Sequence, residues 1–164
     1  MLKIALEILR FNEISESPID IYLTRYSDTL ISLSERTMLA KRLNADMFIS
    51  LHCNHSDNPK ARGIEVYVAD DTSKYLNESI WFAFQLQDGL NKKLGFESRG
   101  VKFGNFQVLR KTVDYFPAIL LELGFLSNRD EGEYFQNSEN FGIMAKVLVE
   151  CLSKNFSSYG RVAN

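Results

Sequence analysis

Two histidines and one glutamate are the residues of this sequence most suited to chemistry. His52 and His55, the chain's two histidines, follow the apolar run 47–51, and Glu122 stands near the end of the apolar run 118–124. Short apolar runs of this kind predict buried strands, and in an open α/β sheet ligands bind outside the carboxyl ends of the strands. We therefore expect His52 and Glu122 to lie at one edge of a sheet.

His52 is suited to binding a metal ion, because histidine is the commonest metal ligand and a neutral imidazole suits zinc, copper or iron. An alternative is a histidine that only satisfies the end of a strand by hydrogen bonding, as buried polar groups generally do. A further alternative is a local site made by His52 and His55, on either side of Cys53. Side chains alternate along a strand and a working site needs a fixed set of ligands, so spacing alone does not decide among these.

Glu122 is a carboxylate in an otherwise apolar strand. Burying such a group is costly unless it is paired, and burial raises its pKa, which suits a general base. The alternative is an ion pair with Lys102, Arg110 or Arg129, which the spacing allows equally well. Together, His52 as a zinc ligand and Glu122 as a proton carrier suggest a metal-assisted hydrolase.

The elements that must position these residues alternate between strands and helices. The Ser32–Glu35 pair has the spacing of a capping box, and Gly95 is placed to end a long helix. The pattern predicts strands at 18–24, 47–51, 64–68, 106–110 and 118–124, a loop at 97–102, and helices at 2–10, 33–43, 76–94, 128–131 and 140–152. Such alternation favours an α/β fold with a mostly parallel sheet covered by helices on both faces. We expect one domain at 1–152, followed by a polar tail at 153–164.

Composition excludes several classes of protein. The chain has 164 residues, 45% of them hydrophobic, which is enough for one globular domain. A net charge of −2 argues against nucleic-acid binding. Cys53 and Cys151 lie too far apart for a disulfide framework or a zinc ribbon, and we expect free thiols. The sequence contains no membrane span, signal peptide or Gly-x-Ser-x-Gly motif, so a serine hydrolase lacks its nucleophile.

Several separated segments together resemble the zinc-dependent N-acetylmuramoyl-L-alanine amidases, bacterial cell-wall hydrolases. Their order and spacing agree with that family from about Leu2 to Leu152. The segments are Leu23-Thr24-Arg25 with Asp28, Leu33, Arg36, Asn44-Ala45-Asp46, Phe48 to His52, Asn54, Gly63 to Tyr67, Arg99 to Lys102, Val108 to Arg110, Pro117 to Asn128, Asp130 and Glu131.

The resemblance implies a twisted, mostly parallel sheet of about six strands flanked by helices, with zinc held by His, Glu and His. His52 matches the second zinc-binding histidine, and Glu122 matches the catalytic glutamate. Asn54, Arg99 and Lys102 are candidate substrate-binding residues for a glycan-peptide strand, although each is equally suited to a solvated surface. The implied substrate is peptidoglycan, and the implied location of the full-length protein is the cell envelope or outside the cell.

The chain departs from the family at its amino end. Members begin with a strand that ends in a His-Gly-Gly motif, followed by the metal-binding Glu, and both precede the helix that resembles Leu2 to Arg10. We therefore expect a first strand and two further zinc ligands upstream of Met1, and a chain that is inactive as it stands. We favour truncation over a natural remnant, because His52 and Glu122 persist. The alternative is a non-catalytic amidase-like module that binds peptidoglycan or a partner.

Overall fold

The computed structural model describes residues 1–70 and 72–162. Within this part of the chain, the secondary structure consists of six helices and four strands. In chain order they are α1 (Leu2–Glu13), α2 (Leu33–Arg42), β1 (Phe48–Asn54), β2 (Ile64–Ala69), α3 (Leu76–Leu94), β3 (Ser98–Gly104), α4 (Gln107–Arg110), β4 (Ala118–Phe125), α5 (Arg129–Tyr134) and α6 (Ser138–Val162).

The strands form one mixed sheet in the order β1-β4-β2-β3. β1 runs parallel to β4 and β2 runs parallel to β3, whereas the central pair β2 and β4 is antiparallel. Two of the three pairings are therefore parallel, and the predicted α/β fold with a mostly parallel sheet is confirmed. The direction of β2 matters for the site, because it brings the amino end of β2 beside the carboxyl end of β4.

The main core lies on one face of the sheet and is built from alternate residues of the strands. Ile64, Val66 and Val68 of β2 and Ile119 and Leu121 of β4 point into it. α1, α3 and α6 cover this face, with their apolar sides at helical spacing. The most enclosed helical residues of this core are Ile4, Ala83, Leu86, Leu90, Met144, Ala145 and Leu148.

A second, smaller core covers only part of the opposite face. Phe48, Ala118 and Leu120 of the sheet pack there beneath residues of α2, α4 and the loop that follows α4. Further along β1 and β4, the same face carries the polar residues His52 and Glu122. The sheet is thus covered by helices on both faces, with one stretch of the second face left for polar groups.

The predicted strand at 18–24 is wrong, because these residues have no strand structure. Ile19 and Ile21 do pack against the main core, so the apolar alternation reflects burial rather than pairing. The Asn12 side chain holds this segment: its Nδ2 donates to the Ile19 carbonyl at 2.8 Å and its Oδ1 accepts from the Ile19 N–H at 3.0 Å. Among the described strands, β1 is an edge strand that pairs only with β4, and residues 18–24 do not pair with its free side.

Two neighbouring predictions, the loop at 97–102 and the strand at 106–110, are wrong. The predicted loop at 97–102 is largely β3, an edge strand that pairs with β2, with Tyr67 opposite Lys102. The predicted strand at 106–110 is the short helix α4, which buries Val108 and Leu109 in the second core. Local pattern failed at both positions, because an exposed edge strand lacks an apolar signature and five residues cannot separate a strand from a helical turn.

The start of α2 and the end of α3 follow their predicted signals, whereas the end of α6 does not. Ser32 and Glu35 form the reciprocal capping box of α2, and Gly95 adopts a left-handed conformation after α3 (φ +73°). α6 continues past its predicted end at Leu152 as far as Val162. Cys53 and Cys151 are free thiols as predicted, and Cys151 is buried in the main core. None of the described helices combines the length and the apolar character needed to span a membrane.

Gly63, immediately before β2, provides a test of how tightly β2 and β3 approach. A methyl group at Gly63 would lie 2.5 Å from the Glu97 carbonyl oxygen, and the backbone there has φ +100°. We expect Gly63→Ala to lower the free energy of unfolding by more than about 2 kcal/mol, because strained backbone and a backbone clash add. Gly95→Ala is the matched control: it also has positive φ but no atom within 4 Å, and should cost about 1 kcal/mol. Equal losses in urea denaturation would contradict the close approach.

Candidate active site

His52 and Glu122 are direct neighbours across β1 and β4. They are paired in the parallel register, between Leu51 with Leu121 and Asn54 with Phe125. Paired residues of adjacent strands project from the same face of a sheet, and adjacent strands lie about 4.8 Å apart. His52 and Glu122 therefore lie side by side near the ends of their strands, as expected from the sequence.

His52 is exposed at the end of β1, and its Nε2 lies 2.8 Å from the Ser50 hydroxyl. The residues around the ring remove part of its hydration, and Arg36 adds positive charge nearby. Both effects lower the pKa of His52, the loss of hydration more than the charge. A lowered pKa favours the neutral imidazole, which is the form that binds a metal ion.

Glu122 is a partly buried carboxyl group with no ion-pair partner among the described residues. Its Oε2 is shielded from solvent and has no hydrogen-bond partner among the described residues. Burial, and secondly the negative charge of Glu65, raise its pKa to about 7. The ion-pair alternative is wrong, since each of the three candidate cations has another partner: Lys102 with Glu65, Arg110 with Asn105, and Arg129 with Glu133.

Glu65 is the most enclosed polar group of the site, with only 2% of its surface exposed. It faces Glu122 across the antiparallel pair β2 and β4. Its Oε1 accepts from Arg99 Nε and Lys102 Nζ, both at 2.5 Å. Burial alone would raise the pKa of Glu65, but the hydrogen bonds from Lys102, Arg99 and Tyr67 outweigh it and lower the pKa.

Asn54 and Tyr67 complete the surroundings of Glu65 on its second oxygen. Asn54 Nδ2 donates to Oε2 at 3.1 Å, and the Tyr67 hydroxyl donates at 2.8 Å. The three predicted substrate-binding residues, Asn54, Arg99 and Lys102, therefore meet at one carboxylate. Their role toward a substrate stays a prediction, while their common partner is a residue that the sequence analysis missed. The signal was present, because Glu65 is a carboxylate inside an apolar strand, just as Glu122 is.

The candidate residues form a row across the sheet. His52 on β1, Glu122 on β4 and Glu65 on β2 are successive neighbours, and Arg99 on β3 closes the row. Cys53 lies outside it, since its side chain packs against the main core on the other face. Burial raises the pKa of Cys53 to about 12, so the thiol is not a nucleophile at this site.

Glu131 fixes the end of β4 beside this row. Its two oxygens accept from the backbone N–H groups of Gly63 and Phe125, each at 2.7 Å. Glu131 belongs to α5, whose amino end is capped by the Asn128 side chain. This buried carboxylate thus ties the entry to β2 and the exit from β4 to a single helix.

A largely parallel α/β sheet with an imidazole beside an unpaired carboxyl group is an architecture suited to acid–base hydrolysis. Comparison with known proteins gives the particular family. Residues 1–154 match the profile of the N-acetylmuramoyl-L-alanine amidase family, and the chain belongs to that family. The resemblance predicted from the sequence motifs is confirmed.

Individual relatives are bacterial cell-wall amidases. The chain is similar to the probable cell wall amidase LytH of Staphylococcus saprophyticus, with 35% identity over 82% of this chain and 42% of that protein. It is also similar to the N-acetylmuramoyl-L-alanine amidase LytC of Bacillus subtilis, with 36% identity over 66% of this chain and 21% of that protein. The chain therefore spans less than half the length of these relatives.

Solved structures give the same result for the fold. The N-acetylmuramoyl-L-alanine amidase of Clostridium difficile superimposes with a TM-score of 0.85 at 30% identity, covering 96% of this chain and 82% of that one. The catalytic domain of CwlV from Bacillus (Paenibacillus) polymyxa gives a TM-score of 0.81 at 29% identity, covering 95% of this chain and 82% of that one.

The donor set does not by itself fit the zinc site that this family implies. A catalytic zinc site generally uses three protein ligands and an open position. Across residues 1–70 and 72–162, no group of three or more His, Cys, Asp or Glu side chains is arranged to hold a metal ion. His52 supplies one imidazole, and His55 belongs to no such group. The predicted local site at His52 and His55 is thus incomplete.

The raised pKa of Glu122 has a measurable consequence for stability. Because the folded state holds this proton more tightly, the stabilisation is complete below the ordinary pKa of 4.5 and is lost as the pH rises to about 7. Glu122→Gln removes the ionisation, so this variant should exceed the parent chain in stability near pH 8 by about 1–2 kcal/mol after screening by water. The difference should vanish near pH 4.

Thermal and urea unfolding at the two pH values measure this difference. Asp114→Asn is the control, since Asp114 is an exposed carboxylate in the loop before β4. A Glu122→Gln variant no more stable than the parent near pH 8, relative to Asp114→Asn, would contradict the unpaired state of Glu122.

Proposed function

We propose that this chain is the part of a zinc-dependent N-acetylmuramoyl-L-alanine amidase that carries the proton-transfer carboxyl group and one metal-binding imidazole. The bond cleaved is the amide between N-acetylmuramic acid and L-alanine in peptidoglycan. One observation carries the proposal: in a chain of this family, the unpaired Glu122 lies in register beside His52 on the same face of the sheet.

Glu122 is the proposed general base and acid. A carboxyl group with a pKa of about 7 is present in both protonation states near neutral pH. It can accept a proton from the water that attacks the amide carbonyl and deliver a proton to the departing amine. Glu122 Oε2 has no hydrogen-bond partner among the described residues. It can therefore take up or release a proton without first breaking a hydrogen bond. A carboxylate locked in an ion pair would lack this freedom.

His52 is the proposed metal ligand, in a site that requires donors beyond those described. The neutral state favoured by its surroundings suits that role. Since His52 belongs to no three-donor group among the described residues, we expect this chain to be inactive on its own. The proposed location of the whole protein is the cell envelope, in keeping with the cell-wall amidases that it resembles.

Completing the donor set tests this function. An amino-terminal strand with a His-Gly-Gly motif and its following Glu, taken from a relative, is fused ahead of Met1, and release of stem peptide from muropeptides is measured with added zinc. We expect release by the fusion and none by the present chain. In the fusion, Glu122→Gln should lower kcat by about 10²–10⁴-fold, as loss of a general acid–base group does.

The control in the same fusion is Asp114→Asn, which should retain the parent rate. Full activity of the fused Glu122→Gln variant would contradict the role of Glu122. Turnover by the present chain with zinc would contradict the need for further ligands.

A second candidate is a metal-free module of the same fold that binds peptidoglycan or a partner. The absence of a three-donor group among the described residues favours it. It predicts that His52→Ala and Glu122→Ala leave peptidoglycan pull-down unchanged, and that elemental analysis finds no zinc in the longest natural form. Loss of binding in either variant, or stoichiometric zinc, would exclude this candidate.

A further inference from the structure

An aromatic cleft lies at the amino ends of β1 and β4, away from the candidate active site. Its volume is about 510 Å³, which is within the range of small-molecule sites. It is bounded by the end of α2, the residues before β1 and β4, the residue before α3 and the end of α6. Five aromatic side chains line it: Tyr75, Tyr115, Phe116, Phe156 and Tyr159.

The aromatic cleft is separate from the row of residues around Glu122. In the register of β1 and β4, the pair Phe48 with Ala118 lies four residues before the pair His52 with Glu122. Four residues of a strand span about 13 Å. A small ligand in the cleft would therefore leave His52 and Glu122 free, and no step of the proposed reaction uses the cleft.

The aromatic rings are held in place by contacts behind them. Phe82 of α3 is 1% exposed, and its ring centroid lies 5.3 Å from that of Phe156 and 5.1 Å from that of Tyr159. The Lys41 ammonium group lies over the Tyr115 ring at 3.8 Å, while 58% of the Tyr115 surface stays exposed. Rings fixed in this way lose less entropy when a ligand binds, which favours recognition.

Polar groups lie among the rings, and their charges cancel. Within the described residues that line the cleft, Lys41 is the only cation and Asp46 the only anion. Asn44 adds an amide, which offers both donors and an acceptor, at a backbone position with φ +47°. This lining matches a neutral ligand that has both an apolar face and hydrogen-bonding groups.

A sugar ring has this combination of surfaces. The C–H groups on one face of a pyranose are apolar and carry a small positive charge, so they stack on the negative face of an aromatic ring. The hydroxyl groups around the sugar are suited to the Lys41 ammonium and the Asp46 carboxylate. An acetamido substituent adds an N–H and a carbonyl, which can bond reciprocally to the Asn44 amide.

We propose that the aromatic cleft binds an N-acetylated sugar of a neutral oligosaccharide, with the sugar ring stacked on Tyr115 and the acetamido group bonded to Asn44. The cleft holds the sugar and does not cleave it. This inference goes beyond the proposed function and depends neither on a metal ion nor on Glu122.

The test measures binding to the present chain. Chitotriose, a trimer of N-acetylglucosamine, is compared with cellotriose, which has the same linkages and no acetamido groups. Trp81, the chain's single tryptophan, reports binding through its fluorescence, because its ring lies 6.0 Å from that of Tyr159. We expect chitotriose to bind about tenfold more tightly, since the acetamido group adds hydrogen bonds. Chitotriose should shift the NMR signals of the backbone amides at 44–46 and 115–116, and not those at 52–54.

Three variants locate the binding. Tyr115→Ala should weaken chitotriose binding about tenfold, whereas Tyr115→Phe keeps the ring and should retain most of the affinity. Asn44→Gly tolerates the positive φ and removes the amide, so the affinity ratio between chitotriose and cellotriose should fall toward one. Tyr22→Ala is the matched control and should bind as the parent does, because Tyr22 is also an exposed tyrosine (63%) but lies outside the cleft.

Equal affinity for the two trimers, or no binding of chitotriose, would overturn the inference. So would undiminished binding by Tyr115→Ala, or NMR shifts confined to the carboxyl ends of the strands. Tetramethylammonium is the probe for an aromatic site that binds cations. Its displacement of chitotriose would also overturn the inference, because the cleft would then be a cation site.

Discussion

Two carboxylates placed side by side in the middle of a sheet are the constraint on which this site depends. Glu65 and Glu122 face each other across β2 and β4. Two adjacent negative charges are costly where water is partly excluded. The two carboxyl groups therefore have different surroundings and different pKa values. Glu65 is compensated by two cations, an amide and a phenol, and stays ionised. Glu122 receives none of these partners and holds its proton to about pH 7.

This asymmetry depends on the division of the sheet into two faces. One face carries the main apolar core and packs beneath α1, α3 and α6. The other face is apolar only where α2 and α4 cover it, and the row from His52 to Arg99 occupies the rest. Because the main core provides the stability, the second face can carry an uncompensated carboxyl group. Reduced stability at functional sites is a common cost of activity.

The ends of the strands are fixed by buried polar contacts rather than by further apolar packing. Glu131 joins the backbone before β2 to the backbone at the end of β4. Gly63 permits β2 and β3 to approach closely at the same end. The contacts of Glu131 and Gly63 hold Glu65 and Glu122 in register. Both Glu131 and Gly63 lie in segments that resemble the amidase family.

The sequence by itself determined the buried strands β1, β2 and β4, the long helices and the placement of His52 and Glu122 at one edge of the sheet, because apolar runs, caps and strand-end polar residues are local signals. Their direct pairing across β1 and β4 is decided by the tertiary structure. The sequence did not determine β3 or α4, since an exposed edge strand and a single helical turn take their form from their neighbours. Nor did it determine the cluster at Glu65. That cluster exists because β2 runs antiparallel to β4, which brings the start of β2 and β3 to the carboxyl end of β4. Strand direction arises from the packing of the whole sheet, and only the tertiary structure decided it.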